Sequence, residues 1–174
     1  LNIPPEIKYE NEGGPNLEDC FSVLDMRIKQ GQMAGINKLK LLQLVIFNFL
    51  IGNGDAHAKN FSILYLGQFC ELAPCYDLLS TVIYSENPKV KMAMKLGREY
   101  QFNMIRKKHW QRLAQQINFR EDFVLKQIHL MGGKILDEAI ILTKALNQSK
   151  DTQSPIYEKI CNIIEKNILN LKIS

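Results

Sequence analysis

Asn53-Gly54-Asp55-Ala56-His57-Ala58-Lys59-Asn60 gathers a carboxylate, an imidazole, an ammonium and two carboxamides in one short run. Directly before it, residues 44–51 are apolar except for Asn48. A helix apolar on every side belongs in the centre of a globule, so the run reads as a loop delivered by a core helix over residues 36–51. The uncharged span from Lys40 to Asp55 is too short to cross a bilayer, which takes roughly 20 apolar residues. A second aspartate, Asp77, follows after two short strand-like runs. Phosphoryl transfer needs this layout: a carboxylate aims an acceptor hydroxyl at the terminal phosphate of a nucleotide, while a carboxamide oxygen and a second carboxylate hold magnesium against the phosphates. On this reading Asp55 is the catalytic base or orienter, and Asn60 and Asp77 are metal ligands.

An Asp-x-x-x-x-Asn spacing occurs often by chance, so its weight comes from what surrounds it. After Asn60, residues 61–66 and 69–73 read as strands joined at Gly67-Gln68, a tight hairpin. Such a hairpin returns the chain and brings Asp77 back to the loop. Pro74 ends the second strand, and Tyr76-Asp77-Leu78-Leu79 sets the acid among apolar neighbours, as if pinned at the edge of a core. Alone, Asp77 reads as a turn or cap acid; beside Asp55 and Asn60 it reads as a ligand.

Upstream, residues 1–16 read as an extended lead-in with Gly13-Gly14-Pro15 as punctuation. Asn16 caps a helix carrying Leu17, Phe21, Leu24 and Ile28 on one face. Downstream, residues 89–96 alternate, with Val90, Met92, Met94 and Leu96 on one face and lysines on the other. From Lys89 to Arg112 there are eight basic residues and one acid, which makes Lys91 and Lys95 candidates for contact with a substrate; a solvated strand face is the blander reading. No aromatic platform is interleaved for base stacking, so direct nucleic-acid binding is not expected. The remainder reads as helices: a stripe of Trp110, Leu113, Ala114 and Ile117; a second stripe through Ile128 that stops at Gly132-Gly133; and a last helix capped by Ser154-Pro155. His109 and His129 carry no chemistry in this reading.

With 174 residues and 46% apolar content, one core and one domain are expected. The chain opens on Leu1 and lacks a signal-peptide pattern, which suggests a cytoplasmic protein and a piece of something longer. The four cysteines form no Cys-x-x-Cys pair, so reduced thiols are expected rather than disulfides or zinc. The net charge of +4 is moderate and says little about partners.

The motifs Ile7-Lys8-Tyr9-Glu10 with Gly13-Gly14-Pro15, the run from Phe49 to Ser62, Tyr76-Asp77-Leu78-Leu79-Ser80 and Lys91-Met92-Ala93-Met94-Lys95 resemble, in order, the C-terminal lobe of the HipA-like toxin kinases. The loop is also similar to that of phosphatidylinositol kinases, but the Lys-Tyr lead-in and the Lys-x-Ala-Met segment are not. The resemblance implies an α+β, predominantly α-helical C-lobe of a protein-kinase-like fold, with a small β-hairpin carrying the site. It implies a serine/threonine protein kinase of a bacterial toxin-antitoxin system that uses ATP and magnesium, phosphorylates an aminoacyl-tRNA synthetase and is restrained by a DNA-binding antitoxin, sometimes with a third small protein. Asp55 matches the catalytic aspartate, Asn60 and Asp77 the magnesium ligands, and His57 and Lys59 positions that shape the site or approach phosphate. No glycine-rich nucleotide loop is present, so a nucleotide-binding N-terminal lobe is expected in cis or on another chain, and residues 1–174 alone should be weak or inactive. Two other classes remain: a catalytically silent kinase-fold interaction module, and a metal-dependent nuclease using Asp55, His57, Asn60 and Asp77.

Overall fold

The computed structural model describes residues 4, 6–85 and 89–172. Asn16 opens helix α1, Leu17–Lys29, with a reciprocal cap: its side chain accepts from Asp19 N at 2.9 Å and its own N–H donates to Asp19 Oδ2 at 3.0 Å. Leu17, Cys20, Phe21 and Leu24 face inward. Helix α2, Ile36–Ile51, lies in the middle; its Leu41, Leu42, Ile46 and Leu50 are fully buried, and each such side chain stabilises the fold by about 1.5–3 kcal/mol. Helices α3 (Lys107–Gln116), α4 (Glu121–Leu146) and α5 (Ile156–Lys172) complete the helical layer. Phe49 of α2 stacks on Phe102 at 6.0 Å and meets the edge of Trp110 at 5.5 Å, which fixes the end of α2 that carries the loop. Asn167 of α5 is buried and donates to the carbonyls of Phe49 and Leu50 at 2.9 and 3.2 Å, satisfying acceptors that the last turn of a helix leaves open.

Strands β1 (Ile63–Leu66) and β2 (Phe69–Leu72) form the expected hairpin, with Ile63 opposite Leu72 and Leu66 opposite Phe69. Gly67 adopts φ 64 at the turn. A second hairpin, not foreseen, pairs β3 (Lys91–Leu96) with β4 (Glu99–Gln101). Its turn has Gly97 at φ 54 and Arg98 at φ 76, the left-handed pair of a type I′ turn, and a Cβ on Gly97 would lie 2.0 Å from the carbonyl oxygen of His109. The molecule is thus a mostly helical α+β domain with two small hairpins. Among the described residues no helix is long and apolar enough to cross a membrane.

Three expectations need correcting. Gly132-Gly133 does not stop a helix, because α4 runs through both. Gly132 is buried with Ile168 of α5 so close that an added Cβ would stand 3.2 Å from it, so the missing side chain serves helix–helix approach. The alternation of residues 89–96 is also incomplete: the strand begins at Lys91, and Ala93 on the lysine face is buried. The cause lies in the lead-in, which is not extended throughout. Glu10–Glu12 form a 3-10 turn, and Glu10 accepts from Lys95 N at 2.6 Å and lies 3.2 Å from its ammonium.

Candidate functional site

Helix α2 ends at Gly52, φ 74, whose N–H closes on the carbonyls of Asn48 and Phe49. A Cβ there would lie 2.4 Å from Val82 Cγ2, so glycine is required both by the left-handed turn and by space. The chain then enters a loop organised by Asn53, which is buried. Its Nδ2 donates to Asn48 Oδ1 and to the Asp77 carbonyl, both at 3.0 Å, and its Oδ1 accepts from Asp55 N at 3.2 Å. Gly54 N donates to Thr81 Oγ1 at 2.7 Å. One carboxamide therefore holds the backbones of both aspartates at once. Asn48 is the satisfied buried amide that its position on an apolar helix suggested.

Asp55 is half-buried, and its Oδ1 accepts from the Tyr9 hydroxyl at 2.7 Å. His57 N donates to Asn60 Oδ1 at 2.9 Å, closing the 3-10 turn Ala58–Asn60, and Asn60 Nδ2 meets Asp77 Oδ2 at 2.5 Å. The hairpin returns the chain as its register requires, with Ala73 N on Ser62 O at 2.8 Å. Beyond it the Tyr76 hydroxyl reaches both Ser62 and the Lys59 carbonyl. Asp77 is not pinned in a core edge: it and its neighbours Tyr76, Leu78 and Leu79 are exposed. Its backbone sits at φ 57, a conformation that costs an aspartate about 1 kcal/mol and is held by the Asn53 bond to its carbonyl.

Asn60 turns its Nδ2 to Asp77 and its Oδ1 to His57 N; that oxygen keeps a second lone pair, so Asn60 and Asp77 can each give a cation one oxygen. Two hard oxygen donors suit a magnesium ion that takes its other ligands from phosphates and water. Among the described residues no three His, Cys, Asp or Glu gather as an all-protein cage. Cys20 and Cys70 are buried, while Cys75 is exposed; burial pushes the Cys20 thiol up to about 12.

His57 is buried, its ring meeting the Tyr9 ring edge-on at 5.7 Å, and its Nδ1 has no hydrogen-bond partner. Lys59 is exposed. Lys91 is exposed, and its carbonyl would lie 3.3 Å from a Cβ on Gly54, which puts its backbone against the loop. Lys95 is held by Glu10 and stands 5.0 Å from the Tyr100 ring centroid; the Glu10 hydrogen bond raises its pKa. Arg106 donates to the carbonyls of Asn103 and Ile105, and Arg112 to that of Gly97. Lys95, Arg106 and Arg112 of the basic stretch are therefore committed within the fold.

Sequence reasoning assigned no role to Tyr9, Asn53 or Thr81, and Lys8 also went unassigned. Its ammonium stands 4.8 Å from the Tyr9 ring centroid, and a hydrogen bond to Tyr9, then the charges of Asp55 and Asp77, raise its pKa. The available signal was the lead-in motif itself, which had no structural reason until its tyrosine was placed against Asp55.

A family model described as the HipA-like C-terminal domain matches residues 1–139. The chain is 43% identical over 129 residues to "Putative kinase Y4mE" of Sinorhizobium fredii, covering 74% of this chain and 30% of that protein. It is 40% identical over 68 residues to the serine/threonine-protein kinase toxin HipA of Shewanella oneidensis, covering 39% of this chain and 16% of the relative. The chain thus spans less than a third of the length of either curated relative. Among solved structures it is similar to a chain of the Shewanella oneidensis toxin-antitoxin complex of HipA, HipB and operator DNA, with TM-score 0.80 and 19% identity over 98% of this chain and 41% of that one. That likeness establishes the fold.

Proposed function

This chain belongs to the HipA-like C-terminal domain family, and from that premise we propose that it is the catalytic lobe of a serine/threonine protein kinase toxin that moves the γ-phosphoryl group of ATP to a protein serine. The observation that supports this most is the convergence of Asn60 and Asp77, joined by the Asn60 Nδ2–H on Asp77 Oδ2 at 2.5 Å, beside a loop that also presents Asp55. In this reading the Asp55 carboxylate orients the serine hydroxyl and takes its proton as the new O–P bond forms and ADP leaves. The Asn60 amide oxygen and the Asp77 carboxylate would hold magnesium, which would neutralise charge on the phosphates. His57, from its buried position, and Lys59, at the exposed side of the loop, would shape the site or approach phosphate. Of the two strand lysines, Lys91 is the one available to substrate, since Lys95 is tied to Glu10.

An N-terminal lobe, in cis or in trans, supplies the phosphate-covering loop, the phosphate lysine and the adenine hinge. The acceptor is an aminoacyl-tRNA synthetase, whose modification stalls translation, and a DNA-binding antitoxin, with or without a third small protein, restrains the kinase. The test is labelled-phosphate transfer from ATP in a bacterial lysate by the whole protein containing this lobe, with an Asp55→Asn version alongside. We expect a synthetase-sized band, identified by mass spectrometry as phosphoserine-bearing, only with Asp55 intact. Equal labelling by both versions would overturn the reading. Cleavage of nucleic acid with magnesium and no ATP would replace it with a nuclease, and partner capture with neither activity would replace it with an interaction module.

A further inference from the structure

The lead-in turn is built to hold one side chain in one place. Tyr9 O accepts from Glu12 N at 3.0 Å and from Gly14 N at 2.9 Å, and Gly13 N donates to Glu10 O at 3.1 Å. A Cβ on Gly14 would lie 2.7 Å from that same Tyr9 carbonyl, so the turn closes only over glycine. Its outer side is anchored on β3, where the Glu10 carboxylate takes both the backbone N–H and the ammonium of Lys95. What this assembly presents is the Tyr9 side chain, with its ring edge on His57 and its hydroxyl on Asp55 Oδ1.

We propose that Tyr9 is a positioning residue for phosphoryl transfer: its hydroxyl pins one oxygen of the Asp55 carboxylate, leaving the other directed to the acceptor serine. The assignment rests on the kinase reading above. A free carboxylate on a loop rotates about its terminal bond, which prefers two orientations only loosely; a tyrosine donor fixed at its own backbone removes that freedom, and misorientation of a reacting group is costly in rate. The hydrogen bond to Asp55 raises the Tyr9 pKa, more than the neighbouring Lys8 lowers it, so the hydroxyl remains a donor across the neutral range.

The test is Tyr9→Phe in the whole protein, a change that keeps the ring against His57 and removes only the donor. Steady-state transfer should show kcat lowered about tenfold, the scale of one lost orienting hydrogen bond, with the KM for ATP unchanged and the melting temperature preserved. Glu10→Gln, which loosens the anchor on β3 without altering the Tyr9 hydroxyl itself, should show the same fall in kcat with unchanged KM for ATP to a smaller degree. A merely structural tyrosine would instead lower the melting temperature and move KM together with kcat. That pattern, or an unchanged kcat in Tyr9→Phe, overturns the assignment. Wild-type protein that transfers no phosphate removes the kinase reading itself, whereas an active wild type with an equally active Tyr9→Phe removes only the role of Tyr9.

Discussion

His109 occupies the third position of α3 and does there what glutamine or glutamate does in a capping box: its Nδ1 accepts the N–H of Arg106 at 2.9 Å. Burial, and then the charge of Lys108, push its pKa below the ordinary imidazole value. The folded chain therefore binds fewer protons at this site than the unfolded chain as the pH falls. The stabilisation is complete above the unfolded value, about 6.5, and is lost as the pH drops through the lowered folded value. We expect His109→Gln, which keeps an acceptor for Arg106, to remove this acid-side loss: thermal unfolding of wild type and variant should agree near neutrality and diverge in the variant's favour under acid. Parallel curves would contradict the lowered pKa of the buried His109. At this scale the sequence was half legible. Asp55, Asn60 and Asp77 stand out as candidates by type and spacing, because loop chemistry is written locally. Asn53 and Tyr9 do not, because the partner of each lies far along the chain: the Asp77 carbonyl for one, the Asp55 carboxylate for the other.

At the scale of elements, α1, α2 and the first hairpin were readable because each carries its own boundary: a capping asparagine, a glycine C-cap, a two-residue glycine turn. The glycine pair of α4 misled, because glycine ends helices more often than it admits neighbours, and only the placement of Ile168 separates the two uses. The pair now makes opposite predictions. A Cβ on Gly133 meets nothing within 4 Å, so Gly133→Ala should stabilise the fold by about 0.5–1 kcal/mol through helix propensity alone. Gly132→Leu should destabilise it by about 1–3 kcal/mol by forcing α4 from α5. Chemical denaturation of both variants reads the difference, and the same sign for both would contradict the packing described. The second hairpin escaped notice for a related reason: β4 is only three residues long, and Gly97-Arg98 takes its turn geometry from the closeness of α3.

Across the whole molecule, the site stands where three separate parts of the chain converge. Helix α2 supplies the loop, the hairpin returns Asp77 to it, and the lead-in turn, anchored on β3, brings Tyr9 against it. Helix α5 secures the arrangement from behind through Asn167 on the last carbonyls of α2. The family was legible in the order of its motifs. The most direct test of the account is γ-phosphate transfer from ATP by the whole purified protein, measured for wild type, Asp55→Asn and Asp77→Asn together with nucleotide binding. Both substitutions should lower transfer by at least about a hundredfold, with Asp55→Asn still binding nucleotide and Asp77→Asn needing more magnesium. Transfer by Asp55→Asn at the wild-type rate would contradict the account.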